Sequence, residues 1–296
     1  MKSSHSFVSC PICNSRRNTL LYPANISKKY FDLPYKISSS DYGQHLDIFI
    51  CSSCHTYFEN VTKLQNAIKS HYRTLFDTDY EQGRPHRTLA FRRVLNKIRD
   101  IKSHGKLLDI GCATGAFLME AKKHSYTVYG VEPSTWGSSI ARKKYHLNVQ
   151  TKSIENINFP DNYFDVVTLL DVIEHLYDPA TTLKRISIMV KKGGLICVVT
   201  PNVSSLASKM LREKWWHIRP SHFFYFSPPT IKRLFKQAKL KIIVTRQYVW
   251  YLSLAYLLTR LLKLVGINFT IKSNMLDKIP ISINLGDSME IYAIKQ

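Results

Sequence analysis

Leu107-Leu108-Asp109-Ile110-Gly111-Cys112-Ala113-Thr114-Gly115-Ala116-Phe117 reads as a short apolar strand that breaks at a glycine turn and restarts as a helix. Glycine at such a turn supplies the φ freedom the chain needs and lets a ligand approach the backbone. About 20 residues on, Val128-Tyr129-Gly130-Val131-Glu132 forms a second apolar run that ends in an acid. Outward from these two segments, short apolar runs alternate with longer amphipathic ones, as successive βα units around a mainly parallel sheet require. The spacing predicts strands over 106–110, 127–131, 148–152, 164–170, 195–200, 241–247 and 290–294. Helices are predicted over 117–124, 138–145, 180–190 and 230–238.

The expected fold class is therefore α/β, with a Rossmann-like seven-stranded mainly parallel sheet flanked by helices. A dinucleotide site would carry Gly-x-Gly-x-x-Gly, whose amides meet a pyrophosphate at a helix N-terminus. That pattern is missing, and Asp109 would sit badly beside a pyrophosphate but well beside an amino group or a sulfonium. The chemistry favours a cationic, phosphate-free adenosyl ligand. With Phe159-Pro160-Asp161-Asn162-Tyr163-Phe164-Asp165-Val166-Val167, these segments resemble the successive motifs of class I S-adenosylmethionine-dependent methyltransferases over roughly 105–248. The resemblance implies S-adenosyl-L-methionine as cofactor, its methionine part against Asp109, Gly111, Cys112 and Gly115. It places the ribose on Glu132, the adenine on Ser153, Ile154 and Glu155, and Asp171 beside the same ligand. The family often has Asp where Ser153 stands, so a hydroxyl and backbone amides would serve the adenine here.

Asp171-Val172-Ile173-Glu174-His175 follows the fourth predicted strand, at the carboxyl edge of the sheet, where open α/β sheets bind their ligands. Asp171 and His175 are expected to face the cleft, with His175 as the leading general base. The segment resembles ubiquinone-type O-methyltransferases and, more loosely, small-RNA 2′-O-methyltransferases, with Asp171 in place of a first Glu. That resemblance implies a second divalent metal at Asp171, Glu174 and His175. Downstream, Trp215-Trp216-His217 and Pro220-Ser221-His222-Phe223-Phe224-Tyr225-Phe226-Ser227 form an aromatic, histidine-bearing insertion suited to an acceptor pocket or to an aromatic mini-core. His222 is the second base candidate. Its surroundings resemble methyltransferases of glycans, lipids and other secondary products, which implies a small-molecule, glycan or lipid-linked acceptor, methylated on oxygen.

Cys10-Pro11-Ile12-Cys13 and Cys51-Ser52-Ser53-Cys54 supply two Cys-x-x-Cys pairs, the usual way to close a tetrahedral structural zinc site. Four thiolates leave no open position, so Cys10, Cys13, Cys51 and Cys54 are expected to hold a structural Zn2+ in a zinc-ribbon-like module. His5 and His55 are alternative ligands, and Cys112 and Cys197 are expected as free thiols. The bounds that follow are a zinc-binding module over 1–62, a helical linker over 63–104, and a methyltransferase domain over 105–296 with a hydrophobic insertion near 248–287. An N-terminal four-cysteine module of this kind resembles that of sugar C-methyltransferases.

Against 21 Asp and Glu stand 42 Lys and Arg, a net charge of +21, which concentrates anions around the chain. The basic residues are scattered and no stacking-aromatic RNA motif is recognisable, so nucleic acid is the weaker partner class, with RNA methylation as an alternative activity. A non-catalytic binding module that keeps the fold is a second alternative, disfavoured by intact Asp109, Gly111, Gly115 and Glu132. Residues 248–267 are almost wholly apolar, and on one helix Ser253, Thr259, Arg260 and Lys263 would share a side. Two cations argue against a span, so peripheral membrane contact or a lid over an acceptor is expected. The N-terminus shows no secretory h-region, which makes a cytoplasmic address the expectation.

Overall fold

The computed structural model describes residues 8–27, 29–30, 36–38, 41–264, 267 and 269–296. The chain begins with β1 (Asn18–Tyr22), β2 (Ile48–Cys51) and β3 (Tyr57–Glu59), then helices α1 (Gln65–Arg73), α2 (Thr78–Gln82) and α3 (Arg84–Ile101). The α/β part follows as β4 (Gly105–Ile110), α4 (Ala116–Lys122), β5 (Tyr126–Val131), α5 (Thr135–Lys143), β6 (Val149–Gln150) and β7 (Phe164–Leu170). It continues through α6 (Pro179–Met189), β8 (Val190–Pro201), α7 (Leu206–Leu211), β9 (Phe224–Tyr225), α8 (Pro228–Gln237) and β10 (Leu240–Gln247). The chain closes with β11 (Trp250–Ser253), α9 (Leu254–Leu264), β12 (Pro280–Ile283) and β13 (Ser288–Lys295).

Seven strands form the central sheet in the order β10-β13-β8-β7-β4-β5-β6. β4, β5, β6, β7 and β8 run parallel, while β13 is antiparallel to both β8 and β10. This is the mainly parallel α/β sheet expected. Its central strands are buried on both faces, which is why β7 reads as a continuous apolar run rather than an alternating one. Leu183, Ile186, Ile231, Leu234 and Phe235 of α6 and α8 cover one face. Val94, Leu95 and Ile98 of α3, with Phe117 and Leu118 of α4, cover the other.

Local chemistry sets the helix starts. Asp178 accepts from the Thr181 amide with Pro179 at the first turn of α6, and Ser134 accepts from the Gly137 amide at the head of α5. Ser227 and Thr230 form a reciprocal capping box on α8.

Two expectations need correction. The strand predicted over 148–152 is only Val149–Gln150. Residues 248–267 are not one helix: Trp250–Ser253 pairs with Pro280–Ile283 as a two-stranded antiparallel sheet, and among the described residues only Leu254–Leu264 is helical. β-prone aromatic residues drive the first part into a strand, and Ser253 ends it by accepting from the Tyr256 amide at 3.1 Å. Ser253 therefore does not share a helix side with Thr259 and Arg260, and the Lys263 side chain lies outside the described residues.

A strand from far downstream completes the N-terminal sheet, whose order is β1-β2-β3-β9. Tyr57 and Phe58 pair with Tyr225 and Phe224, and the Glu59 amide donates to the Phe223 carbonyl at 2.8 Å. The cysteine-bearing sheet is thus built onto the chain segment that carries His222.

Candidate active site

The loop after β4 turns through Gly111, Ala113 and Gly115, with φ of +70°, +46° and +80°. A Cβ at Gly115 would lie 2.3 Å from Leu147 Cδ1 and one at Gly111 would lie 2.6 Å from Val172 Cγ2, so side chains are excluded at both by space and by backbone. Glu132 sits at the end of β5, buried, and its two oxygens accept from the Ala113 amide at 2.8 Å and the Ser134 amide at 2.7 Å. Each oxygen keeps a second acceptor position. Burial raises the Glu132 carboxyl to about 7. Asp109 is raised to about 7 by the same cause, while the Thr168 hydroxyl donates to it at 2.6 Å.

One cavity of about 2460 Å³ runs past these groups. Gly111, Glu132, Ser153, Ile154, Glu155 and Asp171 line it, and so do His175 and His222 from the acceptor side. Asp109, Cys112 and Gly115 do not. Asp109 sits behind the loop on Thr168, Cys112 is packed in the core beside Gly130, and Gly115 is the turn that starts α4. In the loop after β6, Ser153 Oγ and Glu155 Oε2 are buried with no hydrogen-bond partner. Arg185 clamps that loop by donating to the Glu155 carbonyl at 2.5 Å and to the Ile157 carbonyl.

On the acceptor side, Glu174 is fully buried, with Oε2 accepting from the Thr200 hydroxyl at 3.0 Å and Oε1 unpartnered. His175 Nδ1 lies 2.6 Å from the Ser221 carbonyl and 2.8 Å from the Tyr72 hydroxyl, which puts the proton on Nδ1 and leaves Nε2 as the acceptor. The His222 ring stands edge-on to His175 at 4.7 Å, is hydrogen-bonded to the His217 backbone, and keeps Nδ1 unpartnered. Glu174, His175 and His222 each bring one ligand atom to within 4.8 Å of the others. Of Asp171, Glu174 and His175, the last two lie in this group with His222, while Asp171, on a positive-φ turn, stands outside it. A motif reading sees only ligands close in sequence, whereas the Phe223 amide, bonded to the Glu174 carbonyl at 2.8 Å, carries His222 in from far downstream.

Tyr80, Arg84 and Arg87 escaped the sequence reading, as did the pairing of His217 with Asp287. Tyr80 and Arg87 line the cavity, the Arg87 guanidinium lying 3.6 Å over the Tyr80 ring. Arg84 ties α3 to the glycine loop by donating to the Thr114 carbonyl and hydroxyl at 2.7 and 2.9 Å. His217 Nε2 lies 3.2 Å from Asp287, which also accepts from the Trp216 indole at 2.7 Å. The Arg-x-x-Arg spacing of Arg84 and Arg87, one helical turn apart, was the available signal for the first group.

Cys10, Cys13, Cys51 and Cys54 converge with their sulfurs within 4.8 Å of one another. Cys10 and Cys54, like Cys13 and Cys51, are 3.5 Å apart, too far for disulfides. Both pairs end in the same turn: Asn14 and His55 each have φ of +59° and donate at 2.8 Å to the carbonyls of Cys10 and Cys51. Two matched knuckles presenting four thiols fit a zinc-binding module. His55 is exposed and outside the cluster, His5 lies outside the described residues, and Cys112 and Cys197 are buried free thiols.

A family model described as a methyltransferase domain matches residues 83–245, more than half of the chain. The chain belongs to that methyltransferase family. Its fold and loop geometry are those of the S-adenosylmethionine-dependent class. The methyltransferase is 33% identical over 125 residues to a ubiquinone biosynthesis O-methyltransferase of Bradyrhizobium diazoefficiens, covering 39% of this chain and 48% of the relative. A Rhodopseudomonas palustris protein of the same name is 29% identical over 154 residues, covering 48% and 60%. The chain thus spans about half the length of the curated relatives it matches. Among solved structures, the YcgJ protein of Bacillus subtilis superposes with a TM-score of 0.51 at 17% identity, covering 70% of this chain and 98% of that one. That likeness concerns the fold alone.

Proposed function

We propose that the methyltransferase moves a methyl group from S-adenosylmethionine to an oxygen of a small-molecule, glycan or lipid-linked acceptor. The observation that carries this reading is the single cavity lined at one end by Gly111, Glu132 and Ser153 and at the other by His175 and His222. Its volume of about 2460 Å³ exceeds the 300–1,000 Å³ of a one-ligand site and leaves room for an acceptor beside the cofactor. The relatives named as ubiquinone biosynthesis O-methyltransferases support oxygen as the accepting atom.

S-adenosylmethionine, when bound, supplies an electrophilic methyl carbon on a sulfonium. Glu132 would hold the ribose hydroxyls on its remaining lone pairs. The unpartnered Ser153 Oγ and Glu155 Oε2 would take the adenine amino group, and Gly111 and Asp171 would border the methionine end. Asp109 would act from behind the loop, where the Thr168 hydroxyl donates to it, rather than as a contact. On the acceptor side, His222 Nδ1 or His175 Nε2 would receive the proton that the acceptor hydroxyl gives up on methylation. His222→Ala is expected to lower transfer of radiolabelled methyl to its acceptor by about 10²–10⁴-fold while cofactor affinity stays within about twofold. Labelling of glycan, lipid and metabolite extracts in parallel reads out the acceptor class. An unaltered rate in the variant would remove His222 from the reading as a base.

The unpartnered Glu174 Oε1 and His222 Nδ1, grouped with His175, also suit a divalent cation. Such an ion would be held by these three residues and would acidify an acceptor hydroxyl. Four thiolates at the N-terminus would hold a structural Zn2+. Among the described residues no helix is long and apolar enough to cross a membrane.

Cofactor binding should depend on pH through Glu132, which shares its surroundings with Asp109, Tyr80 and Cys112. Its folded-state pKa is raised, so the carboxylate is lost as pH falls through about 7. With only the ionised form competent, affinity for S-adenosylmethionine is expected to weaken about tenfold between about pH 7.5 and 6. Glu132→Gln should flatten the dependence in calorimetric titrations, and a wild-type affinity that holds constant over this range would exclude the linkage.

A further inference from the structure

Two apolar, basic segments flank the mouth of the cavity. α7 leaves Leu206 and Met210 71% and 73% exposed, with Lys209 and Arg212 between and beside them. α9 and the chain after it leave Leu261, Ile267, Phe269 and Met275 exposed, the last two at 61% and 71%. Residues 204–212 and 254–275 contain no Asp or Glu, and the longer of the two carries Arg260, Lys263 and Lys272. Both segments reach the cavity, which Leu211 and Lys214 line together with Leu257, Arg260 and Leu261. Residues 42 and 43 lie between them: Arg260 is 5.2 Å over the Tyr42 ring, and a Cβ at Gly43 would lie 3.2 Å from the carbonyl oxygen of Glu213, just past α7.

Large side chains held this far into solvent on both sides of a ligand opening mark an interaction surface. Cations interleaved with apolar side chains, without acids, complement a surface that is oily within and negative at its face. Protein interfaces are depleted in lysine, which disfavours a protein partner. Among the described residues no helix is long and apolar enough to cross a bilayer, so the contact lies on the surface. We propose that α7 and the segment beginning with α9 seat the cavity mouth on an anionic phospholipid bilayer. This extends the contact expected of 248–267 to a second, independent prong. Entry of an amphiphilic acceptor from the membrane side follows from it and rests on the transferase reading above.

Sedimentation of the full zinc-loaded chain with vesicles tests the docking without any methyl transfer, so its failure leaves the transferase reading intact. Vesicles of phosphatidylglycerol in phosphatidylcholine should carry down the protein, at least tenfold more than phosphatidylcholine alone, and salt at about 0.5 M should reverse this. Leu206→Glu with Met210→Glu, and separately Phe269→Glu with Met275→Glu, should each reduce binding about tenfold or more while retaining the wild-type affinity for S-adenosylmethionine, which shows that they fold. Equal binding to neutral and anionic vesicles, no binding to either, or undiminished binding by the α7 variant would overturn the proposal. So would a wild-type dimer that the α7 variant converts to monomer, because that face would then belong to a second copy of the chain.

Discussion

Replacing Glu132 with alanine is expected to weaken S-adenosylmethionine binding by about 100-fold or more. A hydrogen bond to a charged group contributes about 1.5–3 kcal/mol, and two ribose hydroxyls on one carboxylate reach or exceed the roughly 3 kcal/mol that 100-fold requires. The side chain also accepts from the Ala113 and Ser134 amides, so the variant leaves two buried donors without partners and loosens the glycine loop. Glu132→Gln separates the two contributions. Its amide oxygen can still accept from one amide, so the loop should be less disturbed while the charge is lost. Calorimetric titration measures both variants, and thermal denaturation without ligand reports the loop.

Stripping the metal from the cysteine module, or replacing Cys54 with serine, is expected to abolish methyl transfer while cofactor affinity falls less than about tenfold. Structural zinc contributes about 10–16 kcal/mol to small modules, comparable to the whole stability of a domain, so the knuckles should not survive its loss. The damage should pass to the acceptor side. β3 pairs with β9, the Tyr225 hydroxyl donates to the buried Glu59 at 3.2 Å, and Phe223 is bonded to both Glu59 and Glu174 through the backbone. His222 hangs from that ladder. The cofactor end is built from β4, β5 and their loops, which make no backbone pairing with this ladder. Metal analysis of the purified chain, with methyl transfer and titration before and after chelation, checks the separation. Unimpaired transfer by metal-free protein would make the module dispensable to the site.

What was legible in the sequence was chemistry that is local. The glycine loop, the acid after the second strand and the Cys-x-x-Cys knuckles each need a few residues in a row, and each falls where its pattern placed it. The central strands were readable because burial on both faces leaves little except apolar residues. Three things were hidden for the same reason: they join distant segments. His222 meets Glu174 only through the Phe223–Glu174 backbone bond. Tyr72 reaches His175 from a helix read as a linker. The β11–β12 pairing depends on a partner strand at Pro280–Ile283 that leaves no mark on residues 250–253 themselves. Asp109, Cys112 and Gly115 show the converse: a motif marks all of them, yet they build the loop from behind, while Gly111 alone of that group lines the cavity.

The most direct test is calorimetric titration of folded, zinc-loaded protein with S-adenosylmethionine and S-adenosylhomocysteine. One site per chain with micromolar affinity, about −8 kcal/mol, is the expected result for both ligands. Absence of binding by either ligand to correctly folded protein would contradict the assignment of this cavity as a methyl-donor site.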